Sequence, residues 1–237
     1  MIGLINNNSR HQDGSYYFEY CDKLWWMRKE NLIIALDGIT QQKALNIARV
    51  LKGKVWGFKV GDLLYEDNFL IQKLKKFGRV FVDVKLHDIP NTVANSVKRL
   101  SHAGADMITV HASGGVPMMK AAQRNAGKSK IIAVTVLTSH NNKNTKRSVV
   151  KLAQDAIDAD VQGIVCSGRE LEALRGVRGI KSMIKVVPGV RPEWYTKKDD
   201  QKRTITPDEA IKLGADYLVI GRPITNAKSL LKALKEL

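Results

Sequence analysis

Eight short apolar runs, rich in Val and Ile, recur along the chain and are separated by segments with helical spacing. Runs of this length, bounded by polar and glycine-containing segments, predict buried strands. Strands that alternate with helices predict a parallel sheet with right-handed crossovers. Eight of them favour closure into a (β/α)8 TIM barrel of the α/β class over an open doubly wound sheet, and no G-x-G-x-x-G motif follows the first run. The runs are residues 31–37, 54–61, 79–86, 106–112, 130–137, 162–168, 184–190 and 216–223.

The segments between these runs carry signals that begin and end helices. Residues 41–53 have helical spacing and end at Gly53, a typical C-terminal cap. Residues 206–215 begin with Thr206 and Pro207, followed by two acids, which is the pattern of a capped helix start. We therefore expect residues 27–237 to form a single barrel domain.

Residues 1–26 do not follow this alternation. A polar, turn-rich stretch is followed by the aromatic sequence "YYFEYCDKLWW", residues 16–26. The stretch lacks the apolar core and the small-residue cleavage site of a signal peptide. It is interpreted as an N-terminal extension of unknown role.

Composition limits the classes of function. The net charge is +16, from 39 Lys and Arg against 23 Asp and Glu, but the cations are dispersed. Dispersion favours a basic surface that attracts small anions over a dedicated nucleic-acid site, and the latter remains the distant alternative. No apolar run reaches the length of a membrane span. Cys21 and Cys166 have neither metal nor redox spacing, so a reducing cytoplasm is the expected compartment.

Charged residues stand at the carboxyl ends of the first three predicted strands, where the active site of such a barrel lies. They are Asp37, Lys59, and Asp83 with Lys85. Side chains alternate along a strand, so Asp83 and Lys85 should face the same way and Val84 should face the helices. A single pair of this kind would be read as a structural ion pair. Four charges on three consecutive strands favour a binding or catalytic site.

Asp88 differs from these four residues. It lies beyond the third strand, before Ile89 and Pro90. Alternation no longer fixes its direction there, so Asp88 is free to turn away from its own barrel mouth.

A second cluster follows the last two predicted strands. Gly221 and Arg222 come directly after the eighth, in a region that often binds phosphate in these barrels. Glycine allows close backbone approach, and arginine offers a two-pronged charged donor. The polar segment 191–203, which contains Arg191 and Gln201, is interpreted as a lid over an anionic ligand, with a merely mobile loop as the alternative. No set of residues has convincing metal spacing, so no metal or cofactor is expected.

The motifs "IALD", "FKVG", "DVKLHDIPNTV", "TVLTS", "PGVRP", "DDQKRTITP" and "VIGRPI" occur in this order. In this order they resemble the orotidine 5′-phosphate decarboxylase family over about residues 31–237. The resemblance implies decarboxylation of orotidine 5′-phosphate to UMP without a cofactor, the last step of de novo pyrimidine nucleotide synthesis. It also implies a homodimer in which Asp88 and Thr92 reach into the neighbouring subunit's site.

The resemblance implies a role for each site residue. Asp37 and Lys59 would hold ribose hydroxyls, Asp83 would lie against the substrate carboxylate, and Lys85 would donate the proton. Thr138 would read the pyrimidine. The phosphate side and the lid would be Arg191, Gln201, Gly221 and Arg222.

A related barrel remains an alternative. Sugar-phosphate decarboxylases and aldolases share the pattern D-x-K-x-x-D but use a metal and an enediolate. An acid at the end of the second strand would support that interpretation, and Lys59 stands there instead.

Overall fold

Eight parallel strands close into a barrel in chain order, the first pairing with the last. The computed structural model describes residues 30–67, 69–136, 145–196 and 204–237. The predicted TIM barrel is thereby confirmed, and each apolar run contains one strand. The extension at residues 1–26 and the boundary at residue 27 lie outside the described residues. The strands, β1 to β8, are Leu32–Ala35, Gly57–Val60, Arg79–Leu86, Met107–His111, Lys130–Val134, Gly163–Val165, Ile184–Val187 and Tyr217–Ile220.

At least one helix follows each strand, and 3₁₀ turns occupy several of the connections. Within the described ranges, no helix is long and apolar enough to cross a membrane. The helices, α1 to α9, are Gln41–Leu51, Leu70–Lys75, Pro90–His102, Gly115–Arg124, Thr145–Asp158, Leu171–Leu174, Pro207–Lys212, Arg222–Thr225 and Leu230–Lys235.

The predicted helix boundaries follow from local chemistry. Gly53 adopts a φ of +67° just after α1, a conformation that favours glycine. At the start of α7, the Thr206 hydroxyl accepts a hydrogen bond from the backbone N–H of Glu209. The Glu209 carboxylate in turn accepts one from the backbone N–H of Thr206. This reciprocal cap satisfies two donors that the first turn would otherwise leave unpaired.

The core has two layers, as a parallel barrel requires. The outer layer packs helices against the sheet, and α1 contributes Ala44, Ile47, Ala48 and Leu51 at helical spacing. The inner layer fills the barrel with the opposite faces of the strands. Its buried residues are Ile33, Trp56, Phe81, Met107, Ile132, Val186 and Val219.

Candidate active site

A cavity of about 560 Å³ opens at the carboxyl ends of the strands. Phe81, Val186 and Val219 belong to both its lining and the inner core, so the cavity sits on top of the packed barrel interior. Apolar walls surround a concentrated group of charges, a combination typical of small-molecule sites. The charged residues that line it in the described part of the chain are Asp37, Lys59, Asp83, Lys85, Arg191 and Arg222.

The residues at the ends of β1, β2 and β3 form one chain of ion pairs. The Lys59 ammonium contacts the Asp37 carboxylate and lies 3.0 Å from Oδ2 of Asp83. Oδ2 of Asp83 also accepts a hydrogen bond from Lys85 Nζ at 2.9 Å. The predicted convergence of these four side chains is therefore confirmed.

The charges in this series of ion pairs stabilise one another. Burial alone would raise the pKa of Asp83, but Lys59 and Lys85 outweigh it and lower that pKa to about 2. Burial alone would lower the pKa of Lys59, but Asp83 and Asp37 outweigh it and raise that pKa above the usual lysine value. Asp83 is therefore a carboxylate and Lys59 an ammonium at neutral pH.

Strand β3 is irregular where it carries these residues. Its pairing with β4 shifts register between Val82 and Leu86, and Lys85 has a φ of +48°. Asp83 and Lys85 both face the cavity, as alternation predicted, but Lys85 does so from a left-handed backbone conformation that a long side chain rarely adopts. Val84 packs on the outer core, as expected.

Thr109 on β4 bridges the irregular segment, and sequence reasoning missed it. Its buried hydroxyl accepts a hydrogen bond from the Lys85 backbone N–H at 2.8 Å. The same hydroxyl donates to Oδ1 of Asp83 at 3.1 Å. A threonine inside a strand carries no signal that separates this role from ordinary packing.

Two features of the neighbouring loops lie next to Asp37. The backbone N–H of Gly38 donates to Oδ2 of Asp62 at 2.8 Å, which ties the loop after β1 to the turn after β2. Gly61 lies against the carboxylate, because a Cβ at that position would stand 3.1 Å from Oδ1 of Asp37 and 3.1 Å from the Asp83 carbonyl oxygen. Gly61 directly follows β2, two residues after Lys59.

The loops after β7 and β8 bring two cations to the same cavity. Arg191 lines it, donating from Nη1 to the Val190 carbonyl oxygen at 3.0 Å, and its guanidinium carbon lies 5.7 Å from the centre of the Tyr195 ring. Arg222 and Gly221 line the cavity as the sequence predicted. Four cations against two carboxylates leave the described lining with positive charge, which suits an anionic ligand.

Asp88 and Thr92 do not line the cavity that the described residues form. Both are exposed, and Oδ1 of Asp88 accepts a hydrogen bond from the Ile89 backbone N–H at 2.6 Å. Ile89 itself is 66% exposed, unusual for a large aliphatic side chain. Neither residue therefore belongs to the charge cluster that lines the cavity of this chain.

Other sequence candidates have different outcomes. Thr138 and Gln201 lie outside the described residues, so their roles stay predictions.

His111 ends β4 and packs against His87, with ring centres 5.3 Å apart, and it does not line the described cavity. Partial burial, followed by the charges of His87 and Lys85, lowers its pKa. In the described ranges, no cluster of three His, Cys, Asp or Glu side chains could hold a metal ion.

Comparison with known proteins identifies a family. A sequence model of the "Orotidine 5′-phosphate decarboxylase / HUMPS family" matches residues 30–237. The chain is 41% identical to the orotidine 5′-phosphate decarboxylase of Carboxydothermus hydrogenoformans, over 84% of this chain and 91% of that protein. It is 39% identical to the enzyme of the same name from Saccharophagus degradans, over 87% and 92% of the two chains.

Solved structures agree with the sequence relatives. The crystal structure of orotidine 5′-phosphate decarboxylase from Lactobacillus acidophilus matches with a TM-score of 0.73 and 32% identity, covering 86% of this chain and 96% of that one. An uncharacterized conserved protein from Geobacillus kaustophilus matches with a TM-score of 0.72 and 33% identity, covering 85% and 95%. The resemblance drawn from the sequence motifs is confirmed: this chain belongs to the orotidine 5′-phosphate decarboxylase / HUMPS family.

Proposed function

We propose that the protein is a carboxy-lyase that converts orotidine 5′-phosphate to UMP and CO2, the last step of de novo pyrimidine nucleotide synthesis. The observation that carries the proposal is Lys85, an ammonium held by Asp83 at the edge of a cavity with excess positive charge. The family and its curated relatives support the same reaction. We propose a cytoplasmic location, which suits this pathway and a chain with only two cysteines.

The chemistry needs a fixed cation beside the reacting carbon. When the bond between C6 and the carboxylate breaks, its electron pair stays on C6, where the pyrimidine ring does not delocalise it. A preorganised ammonium stabilises that developing charge. Lys85 then transfers its proton to C6, which completes UMP and leaves a neutral amine. No metal or cofactor takes part in this scheme.

Lys85 suits this role better than Lys59. The Lys85 side chain is 37% exposed to solvent, against 13% for the Lys59 side chain. Lys59 is held by two carboxylates of its own chain, Asp37 and Asp83. Lys59 therefore donates within its own chain, whereas the more exposed Lys85 is the ammonium that a ligand in the cavity can reach more directly.

Asp83 has a second effect in this scheme. A substrate carboxylate 4 Å from it would be repelled by about 4 kcal/mol at an effective dielectric of 20. Loss of CO2 relieves that repulsion, and binding energy from the distant phosphate offsets it in the bound complex. Arg191, Gly221, Arg222 and, from the lid, Gln201 are the residues we assign to the phosphate.

The remaining substrate groups are assigned to the other site residues. Asp37 and Lys59 lie at the ends of β1 and β2 and are assigned to the ribose hydroxyls, which a carboxylate and an ammonium recognise as acceptor and donor. Thr138 is assigned to the pyrimidine.

The active unit that we propose is a homodimer with shared sites. Asp88 precedes α3 and Thr92 lies in its first turn; both are exposed and outside the cavity of their own subunit. Ile89 beside them is exposed, as are Tyr65 and Phe69 in the segment after β2, the neighbouring strand. Exposed apolar side chains of this kind are typical of protein interfaces. The Asp88 carboxylate would then face Lys85 of the other subunit.

The experiment is to add orotidine 5′-phosphate to the purified protein, with excess chelator present, and to follow the ultraviolet absorbance change of the pyrimidine. Decarboxylation with UMP as the identified product supports the proposal. No turnover with orotidine 5′-phosphate would reject it. Turnover that appears only after Mg²⁺ or Zn²⁺ is restored would instead favour the related metal-dependent sugar-phosphate chemistry.

A further inference from the structure

The irregular segment of β3 needs support from outside the strand. Lys85 and Asp160 are the non-glycine residues in the described ranges with positive φ, and Lys85 is the one inside a strand. The register shift between Val82 and Leu86 interrupts the regular ladder with β4 at this point. A left-handed lysine at a bulge persists only where neighbouring groups hold it.

Thr109 supplies that support with one atom. A hydroxyl has one proton to donate and two lone pairs to accept with. Thr109 Oγ1 accepts from the Lys85 N–H at 2.8 Å and donates to Oδ1 of Asp83 at 3.1 Å. The Thr109 residue is fully buried, so water does not readily replace either hydrogen bond.

The second of these bonds orients the Asp83 carboxylate. With Oδ1 directed at Thr109, Oδ2 faces the two ammonium groups, 3.0 Å from Lys59 and 2.9 Å from Lys85. Rotation of the carboxylate would break three contacts together. One hydroxyl thus fixes both the backbone that carries Lys85 and the anion that holds its ammonium.

We propose that Thr109 is a positioning residue for the decarboxylation, because its hydroxyl couples the left-handed backbone of Lys85 to the orientation of the Asp83 carboxylate. Thr109 is not among the cavity-lining residues and acts through these two neighbours. The inference rests on the proposed function for its kinetic readout.

The test compares Thr109→Val, which removes the hydroxyl at nearly constant shape, with Thr109→Ser, which keeps it. We expect Thr109→Val to lose about 10- to 100-fold in kcat with KM nearly unchanged, since small misplacements of reacting groups have effects of this size. Thr109→Ser should recover most of the loss. If Thr109→Val does not fold, Thr109→Ala removes the hydroxyl without crowding the site and takes its place.

Ser129→Ala is the matched control. Ser129 is also buried, and its hydroxyl donates to the Ala105 carbonyl oxygen at 2.6 Å, just before β5 at the opposite end of the barrel. This control should lower the melting temperature to a similar degree while leaving kcat within about twofold of wild type.

A second readout does not depend on turnover. An amine-reactive acylating reagent is applied at fixed pH, and modification of Lys85 is followed by peptide mass mapping. Loss of the hydroxyl should release Lys85 from Asp83 and speed its modification several-fold relative to Lys43, an exposed lysine on α1. Wild-type activity on orotidine 5′-phosphate tests the proposed function separately from this result.

Three outcomes would overturn the inference. They are a kcat for Thr109→Val within twofold of wild type, a Thr109→Ser variant as impaired as Thr109→Val, and unchanged reactivity of Lys85. In the first of these cases, a rise in KM would show that Thr109 contributes to binding and not to the placement of Lys85.

Discussion

The Lys85 ammonium donates a hydrogen bond to the carboxylate of Asp83, two residues earlier in the same strand, with 2.9 Å between Nζ and Oδ2. Two residues on one face of a regular strand have Cα atoms about 6–7 Å apart, and their side chains project in parallel. Here Lys85 lies at a bulge and has a positive φ, and its ammonium contacts the Asp83 carboxylate.

The stability of the protein should depend on the charge of Asp83. Its pKa is about 2 in the folded protein against an ordinary 3.8, so ionised Asp83 stabilises the fold above about pH 4 and loses this effect as the pH falls towards 2. Asp83→Asn should therefore lower the free energy of unfolding by about 2 kcal/mol at neutral pH. Denaturant unfolding of both proteins across this pH range measures the difference.

The difference in stability between wild type and Asp83→Asn should disappear at acid pH, and a control variant should not show this pH dependence. The unfolding curves of wild type and Asp83→Asn should converge near pH 2, where Asp83 takes up its proton. Asp155→Asn removes a surface pair with Lys151 on α5 and should change stability by less than about 1 kcal/mol. A constant difference between wild type and Asp83→Asn at every pH would contradict the assigned charge.

The raised pKa of Lys59 predicts a loss of stability at strongly alkaline pH. A raised pKa in the folded state means that the contribution of Lys59 is fully present below its ordinary value of 10.5 and is lost as the pH rises above it. Lys59→Met should therefore be destabilised at neutral pH, and the difference from wild type should shrink only in strong alkali. A difference that disappears between pH 7 and 9 would contradict this.

Arg222 should recognise the phosphate. Arg222→Ala should lower kcat/KM for orotidine 5′-phosphate about 10- to 100-fold, the effect of losing a hydrogen bond to a charged group. The loss on the phosphate-free nucleoside should be much smaller, because that substrate lacks the partner. The exposed Arg175, which does not line the described cavity, provides the control through Arg175→Ala. Equal losses on both substrates would remove Arg222 from the phosphate site.

Gly61 should be needed for the placement of Asp37. In Gly61→Ala the new Cβ would stand 3.1 Å from Oδ1 of Asp37 and displace that carboxylate. We expect kcat/KM to fall by roughly tenfold, since displaced binding groups have effects of this order. Gly176→Ala is the control, because a Cβ there meets nothing within 4 Å. Steady-state kinetics that do not separate the two variants would contradict the role of Gly61.

Shared active sites can be tested with two inactive variants, Lys85→Ala and Asp88→Ala. A mixed dimer would contain one site with both residues intact and one site with neither. Random subunit exchange makes half of the dimers mixed, so activity should return to about a quarter of wild type.

The two variants are refolded together and assayed, with each refolded alone as the reference and subunit exchange verified by mass. If Asp88 acts within its own chain, every site carries one lesion and mixing restores nothing. No gain over the separate variants would therefore reject the shared site.

The predictable part of this protein follows from general rules of barrels and strands. The alternation of apolar runs and capped helices was enough to predict β1 to β8, and the rule that sites lie at strand ends was enough to find Asp37, Lys59 and Asp83. The backbone of Lys85 was not predictable, because lysine gives no signal for a left-handed conformation. Thr109 was missed for a similar reason: its role depends on a register shift that arises only when β3 and β4 pair.

The assignment of Lys85 as proton donor leads to a direct measurement, the turnover of orotidine 5′-phosphate by Lys85→Ala and Lys85→Arg under saturating substrate. Both variants should lose at least 100-fold in kcat, since a general acid typically contributes 10²–10⁴ and an arginine keeps the charge without giving up its proton. Lys43→Ala, at an exposed position on α1, should match wild type, and all variants should melt cooperatively. A folded Lys85→Ala variant that retains more than about a hundredth of the wild-type kcat would contradict the assignment.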